Sequence, residues 1–545
     1  MSADPKAVIR RLNALRILRQ PHEPVWQECF DYSFPERGYG LNGTTFTASD
    51  AQAKKNRILD DTAADSGRIL SASLVSGTTP ANSIWFGLDA GTEEDESTES
   101  DDEDRWLDNA ARTIFENIHQ ANFDAAAFEC CVDIVPAGWF VLYIDEAKEG
   151  GYHFEQWPIA QCFISSSRQG GLVDTIYREV ELTIEQLVSE YGLDAVSHQV
   201  AEAYRNEKFD EKIRVVHAIY PRALHVVGAQ RSKNLPFASC HVEIATNHLL
   251  RESGYHEFPC VVPRWMLIPG SAYATGPMSN ALGSIRSIND IKALELANLD
   301  LATAGMWIAE DDGVLNPRAV KIGPRKIIVA NSVDSMKPLT PGANFQVAFT
   351  AEERLQAAIR KVLLADQLQP QDGPAMTATE VHVRVQLIRQ LLGPIYGRLQ
   401  AEYLQPLITR FFGLAYRAGV LGQAPESLQG RPFTVKYISP LARAQKMEEV
   451  QAIDQYVAGT LQAAGAIAPV SPDSAAEILD TVDFVSAQKV RSSALGVPSS
   501  VVPSDKDREA KKKARAEAQQ QAQQKAMQQE MLSKAAPAIA QRAAA

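Results

Sequence analysis

Residues that could bind a metal ion or carry out catalysis are few in this sequence of 545 residues. Cys240, His241 and His248 lie close together, and thiolate and imidazole groups are common ligands of zinc. The alternation in CHVEIATNHLL is more typical of a half-buried strand. We therefore predict a strand here and no metal site.

A second group of possible ligands is the acidic stretch Glu93–Asp104, EEDESTESDDED, with nine acidic side chains in twelve residues. Carboxylates are the preferred ligands of calcium and magnesium, but this stretch lacks the spacing and the glycine of an EF-hand. The interpretation that the pattern favours is a solvated loop.

Catalytic motifs are missing. The sequence contains no G-x-x-x-x-G-K-[ST], no G-x-S-x-G, no H-E-x-x-H, and no glycine-rich dinucleotide turn after a convincing strand. Its ten histidines form no cluster along the chain. We predict that the protein is not an enzyme and uses no cofactor.

Composition limits the classes of protein to which this chain could belong. The chain is 45% hydrophobic and 22% charged, which is typical of a soluble protein with a large core. No apolar run approaches the roughly 20 residues of a membrane helix, so no membrane contact is predicted. Six sparse cysteines predict reduced, buried thiols. A net charge of -13 disfavours broad phosphate binding but allows a channel that must not hold DNA.

The longest predicted element is a helix with two bends from Thr377 to Val420. Thr377 and Glu380 fit the T-x-x-E capping box at its start. Pro394 and Pro406 should each kink it, because proline removes an intrahelical hydrogen bond. An apolar seam at alternating steps of four and three requires a partner helix; it consists of Val381, Val385, Ile388, Leu392, Ile395 and Leu399.

Another helix is predicted before it, with an apolar residue at every third position, so that the stripe spirals around the helix. This stripe consists of Leu282, Ile285, Ile288, Ile291 and Leu294. Short β-rich pieces follow. Thr350 and Glu353 form a further capping box, which predicts that a second helix begins at Thr350. A polar loop, Gln367–Met376, then leads to the long helix.

The N-terminal region to Val262 is predicted to be a mixed α+β domain. Within it we expect a helix over Trp106–Phe128, a strand pair over Val132–Ile144 and a helix cap over Thr183–Gln186. Beyond Pro425 we predict one strand, FTVKYI, and short helices over Ala444–Ala487.

Three stretches together resemble the head-to-tail connector, or portal, proteins of short-tailed bacteriophages, the podovirus portal family. They are ILDDTAADSGRILSASLVSGTTPANSIWFGL, PRWMLIPGSAYATGPMSNALGSIRSIND and TATEVHVRVQLIRQLLGPIYGRLQAEYLQPLITR. The family usually has tyrosine followed closely by Gly-Pro, whereas Ala274 and Thr275 separate Tyr273 from Gly276 here. The resemblance covers most of Met1–Pro440.

The resemblance implies an α+β portal fold with an α/β wing, a helical stem, a small β-containing clip, a long kinked wing helix and a helical crown. The implied division is 1–275 N-terminal wing, 276–305 stem helix, 306–349 clip, 350–366 second stem helix, 367–376 tunnel loop, 377–443 long wing helix and return strand, 444–504 crown, and 505–545 an Ala/Gln/Lys-rich tail that could form a barrel helix.

The resemblance also implies partners and residue roles. A ring, usually of twelve subunits, would surround double-stranded viral DNA at one capsid vertex of the virion, after assembly in the host cytoplasm with capsid and scaffolding proteins. The terminase large subunit would dock on it and be replaced by tail or adaptor proteins. The expected site residues are Gln367, Gln369, Gln371, Asp372 and Met376 in the tunnel loop, Lys321, Arg325 and Lys326 in the clip, and Leu282, Ile285, Ile288, Ile291 and Leu294 as stem subunit contacts.

A helical scaffold or adaptor that oligomerises through the same apolar seam, without enclosing DNA, is the alternative. A ring with an axial hole would distinguish the connector from the scaffold, which would form filaments or compact dimers.

Overall fold

A computed structural model describes most of the chain. The described residues are 4–41, 48–82, 84–89, 98–147, 150–226, 231–304, 306–309, 336–339, 345–368, 393, 395–428, 434–437, 440–495, 508, 510–518 and 520–521. They divide into two compact units, Met1–Thr79 with His119–Arg410 and Pro80–Ile118 with Phe411–Ala545.

The helices of the described residues are α1 (Pro5–Arg19), α2 (Glu23–Asp31), α3 (Ala48–Lys55), α4 (Thr62–Thr78), α5 (Thr98–Gln120), α6 (Phe123–Ala137), α7 (Ile184–Tyr191), α8 (His198–Arg205), α9 (Pro277–Ala304), α10 (Phe345–Val362), α11 (Ala365–Leu368), α12 (Gln405–Arg417), α13 (Pro440–Ile467), α14 (Pro472–Asp480) and α15 (Phe484–Leu495). A π-helical turn, Gln400–Leu404, directly precedes α12.

The strands are β1 (Phe86–Asp89), β2 (Leu142–Glu146), β3 (Tyr152–Gln156), β4 (Cys162–Ser165), β5 (Thr175–Thr183), β6 (Lys212–Pro221), β7 (Phe237–Glu243), β8 (His248–Tyr255), β9 (Cys260–Val261), β10 (Met266–Leu267), β11 (Ala274–Thr275), β12 (Met306–Ala309), β13 (Met336–Leu339) and β14 (Thr434–Tyr437). Every pairing between them is antiparallel.

The first unit is built on a five-stranded sheet in the order β4-β5-β6-β7-β8. Alternate residues face opposite sides, as strand geometry requires. Phe163 packs with Val8 and Leu12 of α1, whereas its neighbours Cys162 and Ile164 face an aromatic core on the other side. Both faces of this sheet are therefore covered by the same chain.

That aromatic core lies beside the start of α9. Tyr273 packs on Trp26 and Trp139, with ring centroids 5.3 and 5.5 Å away. Its hydroxyl accepts a hydrogen bond from the backbone N–H of Ile164 in β4. The segment that leads into α9 is thereby held against the sheet and α2.

Two glycines allow the backbone at the start of α9 to touch the end of α6. Gly138 caps α6 in the left-handed region, with φ of 83°. A Cβ on Gly138 would overlap the backbone of Thr275, and one on Gly276 would overlap the carbonyl oxygen of Val135. Because Pro277 is the first residue of α9, this contact fixes the position at which α9 begins.

The second unit contains the two-stranded sheet of β1 and β14, in which Phe86 pairs with Tyr437. It also contains α13, α14 and α15. Buried residues on α13 recur at Val450, Thr460 and Ala464, and an Arg491–Asp454 ion pair of 3.2 Å joins α15 to α13.

Several predicted elements are confirmed. Thr183 and Gln186 form a reciprocal capping box at the start of α7. Cys240 and His241 lie in β7, and His248 begins β8. All six cysteines are free and buried.

In the part of the chain that the structure describes, no helix is long and apolar enough to span a membrane.

Other predictions are wrong. The first part of the predicted strand pair over Val132–Ile144 is the end of α6, because Pro136 is tolerated in the last turn and Gly138 supplies the cap. Its last three residues, Leu142–Ile144, do form a strand, the start of β2. The single helix over Trp106–Phe128 is two helices, α5 and α6. The predicted short helices over Ala444–Ala487 begin with one helix of 28 residues, α13.

The second predicted stem helix also starts elsewhere. Helix α10 begins at Phe345, so the Thr350 and Glu353 pattern lies inside it and does not cap its start. The signal failed because a T-x-x-E sequence also occurs within helices, where all backbone N–H groups beyond the first turn already have partners.

We predict that Gly276→Ala lowers the stability of the protein by more than 2 kcal/mol, because the added Cβ would displace α9 from α6. Urea unfolding measures the change. Gly283→Ala is the matched control: nothing lies near its Cβ position within α9, and alanine favours a helix over glycine by about 1 kcal/mol. Equal stabilities of the two variants would contradict the proposed role of the contact.

Candidate functional site

The surface with the clearest functional character is the pair of helices α9 and α10. Within the first unit, the chain runs along α9, passes through the antiparallel strands β12 and β13, and returns along α10. The predicted order of helix, small β element and helix is therefore present. Helix α9 covers Pro277–Ala304, one residue inside each predicted end.

The first half of α9, which follows Pro277, is buried by its own chain. Leu282, Ile285 and Ile288 are buried, and α2, α4, α6 and α10 all pack against α9. The spiralling stripe predicted a helix covered from several directions, and this cover comes from the same subunit. These three side chains are not accessible to another subunit, which corrects their assignment as stem subunit contacts.

A polar network marks the end of the buried half. Lys292 of α9 pairs with Glu352 of α10 and lies 3.8 Å from Glu295. The hydrogen bond that Lys292 donates to the carboxylate of Glu352 raises the pKa of Lys292. Gln356 donates to Asp60 at 2.9 Å, which ties α10 to the segment before α4.

A second hydrogen bond in this region ties α9 to the same segment. Asn289 accepts a hydrogen bond from the backbone N–H of Leu59 at 2.9 Å, and its own amide donates to the carbonyl of Ile285 at 2.8 Å. The two helices are thus fixed to each other and to the segment before α4 at this level.

Beyond the network, α9 carries large apolar side chains that are exposed. The exposed fractions of Leu294, Leu296 and Leu299 are 64%, 50% and 56%. Phe349 on α10 is 59% exposed. Single exposed apolar residues are common on protein surfaces, but a cluster on one helix pair indicates an interaction surface.

The predicted channel and clip residues lie mostly outside the described residues. Gln369, Gln371, Asp372 and Met376 of the predicted tunnel loop do so, and so do Lys321, Arg325 and Lys326 of the predicted clip. Gln367 is described, and it lies in α11 and not in a loop. Of the predicted stem contacts, Ile291 is half-buried and Leu294 is exposed.

Of the long predicted helix, the structure describes residue 393 and residues 395–420. At the predicted Pro406 bend the backbone widens into the π-helical turn, and Gln405 donates to the carbonyl of Gln400, five residues earlier. Proline lacks the N–H that would continue the α-helical pattern, which explains the local irregularity. The capping box at Thr377 and the Pro394 bend lie outside the described residues.

A buried ion pair holds this turn. The guanidinium of Arg264 donates two hydrogen bonds of 2.9 Å to the carboxylate of Glu402, and both side chains are buried. Arg264 also donates to the carbonyl of Gly171 at 2.9 Å. The π-helical turn is thus joined to the segment that leads from β9 to α9.

Sequence reasoning missed both ion pairs. Arg264 and Glu402 are far apart along the chain, as are Lys292 and Glu352, and no local pattern connects them. One signal was present in the sequence: a single charged residue among apolar ones, such as Arg264 in VVPRWML. It indicates that the charge is buried and paired, but it does not identify the partner residue.

No three His, Cys, Asp or Glu side chains among the described residues are placed to hold a metal ion. The exposed apolar side chains on the helix pair α9 and α10 indicate instead a protein that acts as a subunit of an assembly. Comparison with known proteins makes the class specific.

The family model described as bacteriophage head to tail connecting protein matches residues 5–502. The chain is 29% identical over 528 residues to the probable portal protein of Bordetella phage BPP-1, covering 92% of this chain and 89% of that protein. It is 27% identical over 519 residues to the portal protein of Salmonella phage epsilon15, with the same coverage. The match to the portal protein of Enterobacteria phage T3 is 21% over 316 residues, covering 56% of this chain and 55% of that protein.

The chain therefore belongs to the bacteriophage head-to-tail connecting protein family. Its function is that of a connector between head and tail, and it is not an enzyme. The alternative of an unrelated helical scaffold is disfavoured by this match.

We predict that Glu402→Gln destabilises the protein by about 3 kcal/mol, because it leaves the buried Arg264 without a compensating charge. Urea unfolding measures the loss. The double variant Arg264→Met with Glu402→Gln removes both charges and should recover part of the stability. A single variant as stable as the unmodified protein would show that the pair does not hold the π-helical turn.

Proposed function

We propose that the chain forms a closed ring of about twelve copies, whose helix pairs α9 and α10 surround a channel for double-stranded DNA. The exposed leucines of distal α9 are the observation that carries this proposal. In the ring, α9 and α10 are the stem, and Ile291 and Leu294 remain assigned as subunit contacts, now joined by Leu296 and Leu299.

The leucines lie on two sides of the helix. Side chains two residues apart on an α-helix point in directions about 200° apart, so Leu294 faces one side and Leu296 the other. Leu299 is one turn from Leu296, on a similar side. A subunit in a ring must contact a neighbour on each side through two different surfaces, and this arrangement supplies both.

Burial of these leucines at such contacts would favour assembly. Burying one exposed leucine side chain stabilises by about 1.5–3 kcal/mol. Because a closed ring repeats the contact between every pair of neighbours, removing one subunit breaks two contacts at once. We infer a stable ring at one vertex of the capsid in the virion.

The region between the helices is the clip in this proposal. Strands β12 and β13 pair Met306 with Leu339, so the chain enters and leaves the clip at one place. Lys321, Arg325 and Lys326 of the clip would form the docking surface for the terminase large subunit and later for tail or adaptor proteins. Use of one surface by both partners explains why they would bind in succession.

The tunnel loop follows α11, and we assign Gln369, Gln371, Asp372 and Met376 to the narrowest part of the channel. Residues 369–376 contain no lysine or arginine. A loop that is repeated around the ring without cations can touch the DNA backbone without a lasting, salt-dependent attachment.

Our prediction for the ring uses the two sides of α9. Leu294→Glu and Leu299→Glu should each abolish rings while leaving folded subunits, because a buried unpaired carboxylate costs several kcal/mol. Sedimentation and circular dichroism measure the two properties. Leu224→Glu, at another exposed leucine, should leave the ring unchanged.

The same variants test the direction of the contact. Mixing the Leu294→Glu and Leu299→Glu proteins leaves one intact contact between them, so the mixture should form dimers that neither protein forms alone. Ile288→Asp should unfold the subunit instead, since Ile288 is buried within the chain. Normal rings from both leucine variants would contradict the proposed stem contacts.

For the clip, exchanging Lys321, Arg325 and Lys326 for glutamate should reduce the affinity for the terminase large subunit at least tenfold without changing ring assembly. A pull-down with purified rings measures the affinity. Exchanging Lys511, Lys512 and Lys513 for glutamate makes the same change of charge in the tail and serves as the control. Equal terminase binding by the two proteins would remove the clip assignment.

A further inference from the structure

Helix α10 has two opposite faces of different chemistry. Glu352, Gln356 and Ile359, with Leu363 directly after the helix, follow one another at steps of four, three and four residues. This face is buried or half-buried, and α10 packs against α4 and α9. The positions two residues earlier along the chain, Thr350, Arg354, Ala357 and Lys361, lie on the opposite side of the helix. We call these four residues the outer face of α10.

The outer face is exposed and positively charged. All four of its residues are exposed, as is Arg360 beside it. Arg354, Arg360 and Lys361 have no ion-pair partner among the residues that the structure describes. Glu353 is the one acidic neighbour along the exposed side of Phe349–Lys361. The charge of this surface is opposite in sign to the net charge of -13 on the whole chain.

The chemistry of the outer face does not fit a subunit contact. The cores of protein interfaces are rich in aromatic and apolar residues and poor in lysine. Distal α9 has that character, through Leu294, Leu296 and Leu299, whereas the outer face of α10 has small and cationic residues. Solvated, unpaired cations without an apolar core are typical of surfaces that contact nucleic-acid phosphates.

We propose that the outer face of α10 faces the channel and contacts the phosphate backbone of duplex DNA through Arg354 and Lys361. This inference rests on the ring proposed above, because it assigns a ligand to one side of the same helix pair. The sides of α9 meet neighbouring subunits, and the far side of α10 meets DNA.

The spacing suits a backbone contact that carries no sequence information. Seven residues separate Arg354 from Lys361, a rise of about 10 Å along the helix. Phosphates of one DNA strand are spaced 3.4 Å apart along the duplex axis, so about three steps separate the two contacts. The side chains touch phosphate and not base edges, so any sequence can pass.

This surface and the tunnel loop have complementary tasks. The cations of α10 keep the duplex centred through weak contacts that exchange with salt ions. Residues 369–376, without lysine or arginine, form the constriction, where a lasting ion pair would stop movement. The helix guides the DNA, and the loop lets it pass.

The first experiment compares purified rings of the double variant Arg354→Gln with Lys361→Gln and the matched control Arg205→Gln with Lys208→Gln, whose cations are exposed elsewhere in the first unit. Binding of a short duplex DNA is measured at several salt concentrations. The α10 variant should form normal rings, bind the duplex several-fold more weakly and lower the slope of log K against log salt by about 1 or more. The control should match the unmodified ring.

The second experiment locates the DNA. All six native cysteines are buried, so Ala357→Cys adds the accessible thiol to which a photo-crosslinker can be attached. Leu224→Cys places the same group at an exposed position outside the helix pair. Duplex DNA should crosslink to position 357 and not to position 224.

The other outcomes contradict either the DNA contact or the ring. Intact rings with an unchanged salt slope and no crosslink at position 357 would overturn the DNA contact alone. Loss of rings in the α10 double variant would show that a second copy of the chain covers this face, and would also overturn it. If the unmodified protein forms no ring, the proposed function fails, and this inference fails with it.

Discussion

The contact between the backbones at Gly138 and Gly276 is the constraint on which the rest of the functional surface depends. It joins the end of α6 to the residue directly before α9 without any side chain between them. The hydrogen bond of 2.7 Å from the Trp265 N–H to the Gly138 carbonyl closes the same junction. Because α9 is rigid, a small displacement at this point would move its distal end by several times as much.

The paired helices use one sequence pattern for two purposes. Near the junction, α9 buries Ile285 and Ile288 against its own subunit; beyond Lys292, the same helix exposes leucines. The ion pair between Lys292 and Glu352 lies at the boundary and fixes how α10 lies on α9. Internal packing therefore gives each subunit a preformed helix pair, so that assembly need not order it.

Prediction from the sequence worked where the signal was local. The helix over α9, the strand at Cys240 and the Thr183 cap each depend on neighbouring residues, and the structure contains all three. It failed at Val132–Ala137, where β-branched residues favour a strand, but the helix continues from Phe123 to its cap at Gly138. The family could be recognised because the order of three long stretches is a non-local signal.

The candidate site was harder to predict than the fold. A stripe of apolar residues shows that a helix is covered, but it does not show by which chain; thus Leu282 and Ile288 were assigned to subunit contacts although their own subunit buries them. The partners of Arg264 and Lys292 are set by tertiary structure, which no spacing in the sequence encodes. The exposed face of α10 can be identified only when the face that packs against α9 and α4 is known.

Electron microscopy of the purified, unmodified protein tests the central claim most directly. We expect closed rings of uniform subunit number with a hole along the axis, lined by the helix pairs. Filaments, or compact dimers without an axial hole, would contradict it.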